Sequence, residues 1–214
     1  MSSGSLLHKA LRAVTLQPVD FFLSLRKFAA ALKSQIYYAP QFAAFGKGSV
    51  IIDPIMISNP RFMRVGRNCV FRQGLRLQAV VADPDNPPEL IIGDNVNIEQ
   101  NVHIVVIGKV IIEDNVSITA GCAIMGGNHP FFDVHNPVKI GDRLSGTKSV
   151  TVIGAGSFLG VGAVVANNIK LGAGVIVGAQ SVVKKNVPAH VVVEGNPAKA
   201  ILKYDPEEDR WLPC

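Results

Sequence analysis

From Ile153 onward an aliphatic residue returns at every sixth position: Ile153, Leu159, Val165, Leu171, Val177 and Val183. Four places after each stands Ser157, Ala163, Ile169, Val175, Ser181 or Val187, all small or β-branched. The same interval runs upstream through Ile112, Ile118 and Ile124, and before that through Ile92, Ile98, Ile104 and Val110. Weaker echoes join Phe45, Ile51 and Ile57, then Val65, Phe71 and Leu77. An amphipathic helix repeats near 3.6 and a half-buried strand at 2, so a period of six fits neither. It fits an all-β solenoid, in which short flat strands meet at corners and the anchors and small residues point inward. Gly154, Gly160, Gly172 and Gly178, each directly after an anchor, are expected to permit the bends.

Breaks in the register mark excursions from the solenoid. Residues 78–91 contain Asp83-Pro84-Asp85-Asn86-Pro87-Pro88, too rich in proline to join a ladder. The longer break, 125–152, holds Gly126-Gly127-Asn128-His129-Pro130, His135 and Lys148, and long loops on rigid scaffolds often carry function. Ahead of the repeats, Leu7, Leu11 and Val14 predict one short amphipathic helix. Phe21, Leu25, Phe28, Leu32 and Ile36 predict a second beyond Pro18, with Asp20 near its start. The preferred reading is a helical cap over the open end of the solenoid, and the other is a membrane-surface contact through Arg26, Lys27 and Lys33. Three regions follow: an N-terminal helical cap over 1–40, the solenoid over 41–187 with its loop at 125–152, and a C-terminal extension over 188–214.

Composition narrows the class. The chain has 214 residues, of which 48% are hydrophobic and 17% charged, as expected for a globular protein with one main domain. A net charge of +5 suits an anionic ligand, but no Arg/Lys tract interleaved with aromatics marks a nucleic-acid face. Cys69, Cys122 and Cys214 have no metal-ligand spacing and predict reduced thiols in a cytoplasmic protein. Cys69 and Cys122 occupy the small inward place of their hexads, so packing accounts for them. No uninterrupted apolar run near the N-terminus is long enough to span a bilayer.

Three passages carry a resemblance to a known family: Gly126-Gly127-Asn128-His129-Pro130, the run from Val177 to Lys185, and Gly195-Asn196-Pro197-Ala198-Lys199. With the repeats, they make the stretch from Ile92 to Lys199 resemble the hexapeptide-repeat acyltransferases, and among these the galactoside, maltose and polysaccharide O-acetyltransferases. The pairing of Gly-Asn-His with the preceding repeat is most similar to colanic-acid-type acetyltransferases. The resemblance implies a left-handed parallel β-helix, against the usual hand of parallel crossovers. It also implies a homotrimer in which the acyl-CoA groove lies between neighbouring subunits.

By that resemblance His129 is the catalytic base, taking the proton from an acceptor hydroxyl as its oxygen attacks the acyl-CoA thioester. Imidazole titrates near neutrality, which suits the role. His135 is a weaker rival in the same loop, and His103 is expected to face a neighbouring turn or subunit. Gly160, Val161, Gly162 and Ala179 are implied to line the acetyl-CoA groove, with Lys184, Lys185 and Lys199 near the cofactor's phosphates. Counting back from His129 places Glu99, with Asn101 two residues on, where relatives use an asparagine to bind the acceptor sugar.

The leading functional expectation is acetyl-CoA-dependent O-acetylation of a sugar hydroxyl in cell-surface polysaccharide biosynthesis. N-acylation of an amino sugar and a non-catalytic β-helix assembly module are the alternatives. A zinc enzyme on this fold would need convergent histidines, and His103, His129 and His135 lack the placement, so no metal is expected.

Overall fold

The computed structural model describes residues 18–214, so the helix expected around Leu7, Leu11 and Val14 lies outside the described residues. Six coils of three short strands each stack into a three-sided parallel prism. The first two coils comprise β1 (Ala44–Phe45), β2 (Val50–Ile51) and β3 (Met56–Ser58), then β4 (Met63–Val65), β5 (Val70–Phe71) and β6 (Arg76–Ala79). The next two comprise β7 (Glu89–Ile92), β8 (Asn97–Ile98) and β9 (His103–Val106), then β10 (Lys109–Ile112), β11 (Ser117–Ile118) and β12 (Ala123–Gly126). The last two comprise β13 (Val150–Ile153), β14 (Phe158–Leu159) and β15 (Val164–Val165), then β16 (Lys170–Leu171), β17 (Ile176–Val177) and β18 (Val182–Val183). Every third strand falls on the same face, giving a first, a second and a third sheet whose strands all run parallel within the coils.

The six-residue period becomes vertical ladders. On the second face Ile98 pairs with Ile118, Ile118 with Leu159 and Leu159 with Val177. On the third, Leu77, Ile104, Ile124, Val165 and Val183 stand in register, one per coil. All of these anchors are buried. Each aliphatic side chain so placed contributes about 1.5–3 kcal/mol over its exposed state. Cys69 and Cys122 are buried in the small inward place, where each thiol donates to a carbonyl of the next coil, Gly93 and Gly160, at 3.1 Å.

The glycines after the anchors play a different part from the one expected. Gly154, Gly160, Gly172 and Gly178 do not have positive φ. They sit where the next coil passes too close for a side chain: a Cβ on Gly160 would lie 2.6 Å from the amide nitrogen of Ala179, and one on Gly154 would collide with Gly172. The left-handed bends are made instead by asparagines and other glycines. Asn68, Asn95 and Asn115 take φ of 57°, 56° and 59° at one edge, and Asn95 Nδ2 donates to Asn115 Oδ1 at 2.8 Å. Asparagine tolerates that conformation better than other residues with a Cβ.

Both excursions leave from the edge between the third and first sheets, spanning 80–88 and 127–149, because β6, β7, β12 and β13 extend into the predicted breaks. At the N-terminal end, α1 (Pro18–Lys33) runs into a wide turn, Ser34–Tyr38. The cover over the first coil is made by this turn rather than by the apolar face of the helix. Buried Ser34 donates to Ala30 O at 2.7 Å and accepts from the Ile51 amide at 2.8 Å, and Phe42 is buried below it. Phe21, Leu25, Phe28, Leu32 and Ile36 remain exposed.

At the other end the expected extension is more regular than its sequence suggests. Strand β19 (Val191–Gly195) joins the second sheet parallel to β17, continuing the solenoid beyond 187. It then pairs antiparallel with β20 (Ala198–Asp205), which pairs with β21 (Arg210–Pro213). Val191 and Val193 are buried, so two alternating apolar positions suffice to prolong the core.

Candidate active site

The long loop begins where β12 ends. Gly126 and Gly127 lie flush against the coil below: a Cβ on Gly126 would sit 2.6 Å from Val105 O, and one on Gly127 would strike the Ile107 side chain. Close approach, rather than a sharp bend, explains this glycine pair. Asn128 and Ser145 then bridge the two limbs of the loop, each amide donating to the other's carbonyl at 3.0 Å.

The next residue, His129, is exposed, and its Nδ1 lies 3.1 Å from the main-chain carbonyl of Arg143. A carbonyl oxygen only accepts, so this contact requires the proton on Nδ1 and leaves the Nε2 lone pair free. Arg143 in turn organises the loop. Its Nε donates to Val138 O at 2.7 Å, Nη1 to Asp133 O at 2.9 Å and Nη2 to Asn136 O at 2.8 Å. One planar guanidinium thereby ties together three backbone carbonyls that would otherwise face solvent. The same loop presents Phe131, Phe132 and Val134 to the outside. His135 is also exposed, and its backbone amide donates to Asp133 Oδ1 at 3.1 Å.

The other predicted residues divide between two edges of the prism. Along the edge between the second and third sheets run Glu99 and Asn101 in the third coil, Gly160, Val161 and Gly162 in the fifth and Ala179 in the sixth. The Gln180 amide donates to Val161 O at 2.8 Å, which stacks the last two groups directly. Glu99 is paired with Arg72, Oε2 to Nε, at 3.3 Å. Asn101 takes φ of 57° at the corner, so its backbone conformation serves the turn. The opposite edge, between the third and first sheets, carries His129 in the fourth coil and Lys184 and Lys185 in the sixth. A strand of the third sheet separates the edges: from Asn101 to Val106 is roughly 16 Å at about 3.3 Å per residue. Within one chain, His129 is thus not brought onto Glu99, Asn101 or the Gly160 corner.

Lys184, Lys185 and Lys199 do converge. They line a cavity of 560 Å³ with Val187, Pro188 and Pro197, between the last coil and β20. Its apolar floor and three ammonium groups suit a ligand that joins an apolar body to anionic groups.

Two features escaped the sequence. The first is Arg143, one of three basic residues in an aperiodic loop with Lys139 and Lys148, whose role depends on its carbonyl and on three main-chain acceptors five to ten residues away. The second is the outer surface of the third sheet beside the loop, where Arg76 Nη2 donates to Gln78 Oε1 at 2.9 Å and His103 stands half-buried in register with Arg76. Burial, and then the charge of Arg76, hold the His103 imidazole below its ordinary value. The outward alternation of β6 and β9 is the signal that could have joined these residues. Among the described residues, no group of three or more His, Cys, Asp or Glu is placed to hold a metal ion.

A three-faced parallel prism with a histidine-bearing loop and a terminal lysine cavity is the build of a solenoid transferase, and comparison with known proteins agrees. Residues 151–185 match the bacterial transferase hexapeptide (six repeats) family. The chain is 32% identical over 166 residues to the Escherichia coli (strain K12) protein provisionally named lipopolysaccharide biosynthesis O-acetyl transferase WbbJ, covering 76% of this chain and 82% of that one. It is 26% identical over 173 residues to the provisionally named colanic acid biosynthesis acetyltransferase WcaF of the same strain, covering 80% and 87%. Among solved structures, AntD, an N-acyltransferase from Bacillus cereus in complex with dTDP and 3-hydroxybutyryl-CoA, shares the fold with a TM-score of 0.64 at 18% identity, over 78% of this chain and 86% of that one. The chain belongs to the hexapeptide-repeat acyltransferases.

Proposed function

We propose that this protein transfers the acetyl group of acetyl-CoA to a hydroxyl of a sugar during cell-surface polysaccharide assembly. The observation that carries this reading is the contact of exposed His129 through Nδ1 with Arg143 O, which in the neutral imidazole puts the proton on Nδ1 and the free lone pair on Nε2. Nε2 takes the proton of the acceptor hydroxyl as its oxygen bonds to the thioester carbonyl carbon. The tetrahedral intermediate then collapses, the carbon–sulfur bond breaks and the imidazolium returns the proton to the departing thiolate. Backbone N–H groups at the Gly160–Gly162 and Ala179 corners are suited to the pantetheine and the developing oxyanion. Lys184, Lys185 and Lys199 are suited to the phosphates. Glu99 and Asn101 are assigned to the acceptor, Glu99 remaining paired with Arg72. The names of the two E. coli relatives support a polysaccharide acceptor.

The division of these residues between two edges supports a homotrimer in which the His129 edge of one subunit faces the Gly160 edge of the next. Family membership supports a left-handed winding. The test is a screen of sugar acceptors with acetyl-CoA, following thiol release and identifying the product by mass spectrometry and NMR. An O-acetyl ester formed by the parent and lost about 10²–10⁴-fold in kcat by His129→Ala, but not by His135→Ala, is the expected result. An amide product, or parental turnover by a folded His129→Ala protein, would overturn it.

A further inference from the structure

The N-terminal helix leaves its apolar side chains in solvent, although a prism face stands beside it. At 100° per residue, Phe21, Leu25, Phe28 and Leu32 fall within an arc of about 60°. Ala30 and Ser34 project from the opposite side, where Ala30 is half-buried and Ser34 is buried against Ile51. The stripe therefore points directly away from the body of the protein. Phe21, Leu25, Phe28 and Leu32 are 50%, 52%, 67% and 53% exposed, and Ile36 in the following turn is 69% exposed. Phe22 and Tyr37 widen the patch. The helix is pinned in this attitude by Arg26, which bonds Asp53 at 2.5 Å, and by Ser34.

The helix is also basic, carrying Arg26, Lys27 and Lys33 against one acidic residue, Asp20, and the sequence around it shares that bias. Residues 1–40 hold five basic residues against one acidic residue, Asp20, for a net charge of +4. The other 174 positions hold sixteen basic and fifteen acidic residues, for a net of +1. Lys27 and Lys33 are exposed on the helix itself. A second copy laid on the stripe would cover the apolar side chains but would bring a nearly balanced surface to a basic helix. An anionic bilayer answers both properties at once, apolar side chains entering the headgroup boundary while ammonium groups stay among lipid phosphates. No described helix is long and apolar enough to cross a membrane, so the geometry is that of a helix lying in the interface.

We propose that α1 docks this protein on anionic membrane surfaces through Phe21, Leu25, Phe28, Leu32 and Ile36, with Lys27 and Lys33 on the two flanks of the helix, roughly 110–130° round from the stripe. The solenoid then stands off the membrane from its first coil, with the lysine cavity at the far end. This inference is independent of the acyl-transfer reading, and its test needs no turnover.

The full chain would be sedimented with vesicles of phosphatidylcholine alone and with vesicles containing phosphatidylglycerol as well. Binding to the anionic vesicles that weakens as salt rises is expected. Leu25→Ser/Phe28→Ser should lose about tenfold or more in vesicle affinity, and Lys27→Glu/Lys33→Glu should lose the preference for phosphatidylglycerol. Light scattering should give both variants the parent's oligomeric state. The proposal falls if the parent stays in the supernatant, or if Leu25→Ser/Phe28→Ser binds vesicles like the parent. A smaller assembly in that variant would also sink it, because the stripe would then be a contact between subunits.

Discussion

His129 is positioned by the backbone of Arg143, whose carbonyl lies 3.1 Å from Nδ1, while the side chain of the same arginine spans three other carbonyls of the loop. One residue therefore fixes both the tautomer of the imidazole and the shape of the loop that presents it.

Replacement of Arg143 tests that coupling. Arg143→Ala frees the carbonyls of Asp133, Asn136 and Val138, so the loop loosens and the main-chain carbonyl of residue 143 is no longer held in place against the imidazole. An expected fall in kcat of up to about 10²-fold reflects misplacement of a general base, with little change in the KM for acetyl-CoA. Arg143→Lys should rescue only partly, because an ammonium group cannot serve three acceptors in one plane. Steady-state kinetics on the three proteins decides; an unchanged kcat in Arg143→Ala shows that the guanidinium is not needed to hold that carbonyl in place.

The lysine cavity makes a separate prediction. Lys184→Ala, Lys185→Ala and Lys199→Ala should raise the KM for acetyl-CoA more than the KM for the acceptor. The parent's affinity for coenzyme A should also fall with ionic strength, since these charges face an open cavity. Calorimetry with coenzyme A checks both statements. Parental affinity in all three variants would place the phosphates elsewhere.

His103 gives a pH dependence of stability. Its folded-state pKa lies below the ordinary 6.5, so the unfolded chain binds the proton more readily. Stability attributable to this residue is complete above the unfolded value and is lost as pH falls through the folded one. His103→Gln should therefore narrow the difference in urea midpoint between about pH 7.5 and about pH 5. An unchanged difference would show that other groups govern acid sensitivity.

Gly154 tests the close stacking of coils. Its Cβ would meet the backbone of Gly172, which has no side chain to move aside. Gly154→Ala should cost about 1–3 kcal/mol, the usual penalty for overfilling a packed interior. Gly156→Ala should act instead through its φ of 68°, because open space surrounds its Cβ position. Denaturant titration separates the parent from both variants.

Much of the architecture was legible because the constraint is periodic. Anchors such as Ile118 and Leu159 must stack in register, so their spacing survives in a single sequence. Strand β19 was hidden because it contributes only Val191 and Val193 to the core, too few to show a period. The exposure of Phe21, Leu25 and Phe28 was equally hidden, since an apolar stripe reads the same whether it covers a core or faces outward. In the long loop, His129 stands out in the sequence through the local motif Gly126-Gly127-Asn128-His129-Pro130. Arg143 does not, because its partners are main-chain atoms that any residues there would supply.

The long excursion departs from and returns to one corner while Ile112 and Ile153 remain paired across it, as do their neighbours on both strands. The histidine-bearing loop is thus hung on an uninterrupted scaffold, since every rung between β10 and β13 is made without it. Changes within the loop are thereby decoupled from the stacking of the coils, with Gly126 and Gly127 below and Ser149 and Val150 above as the points of attachment.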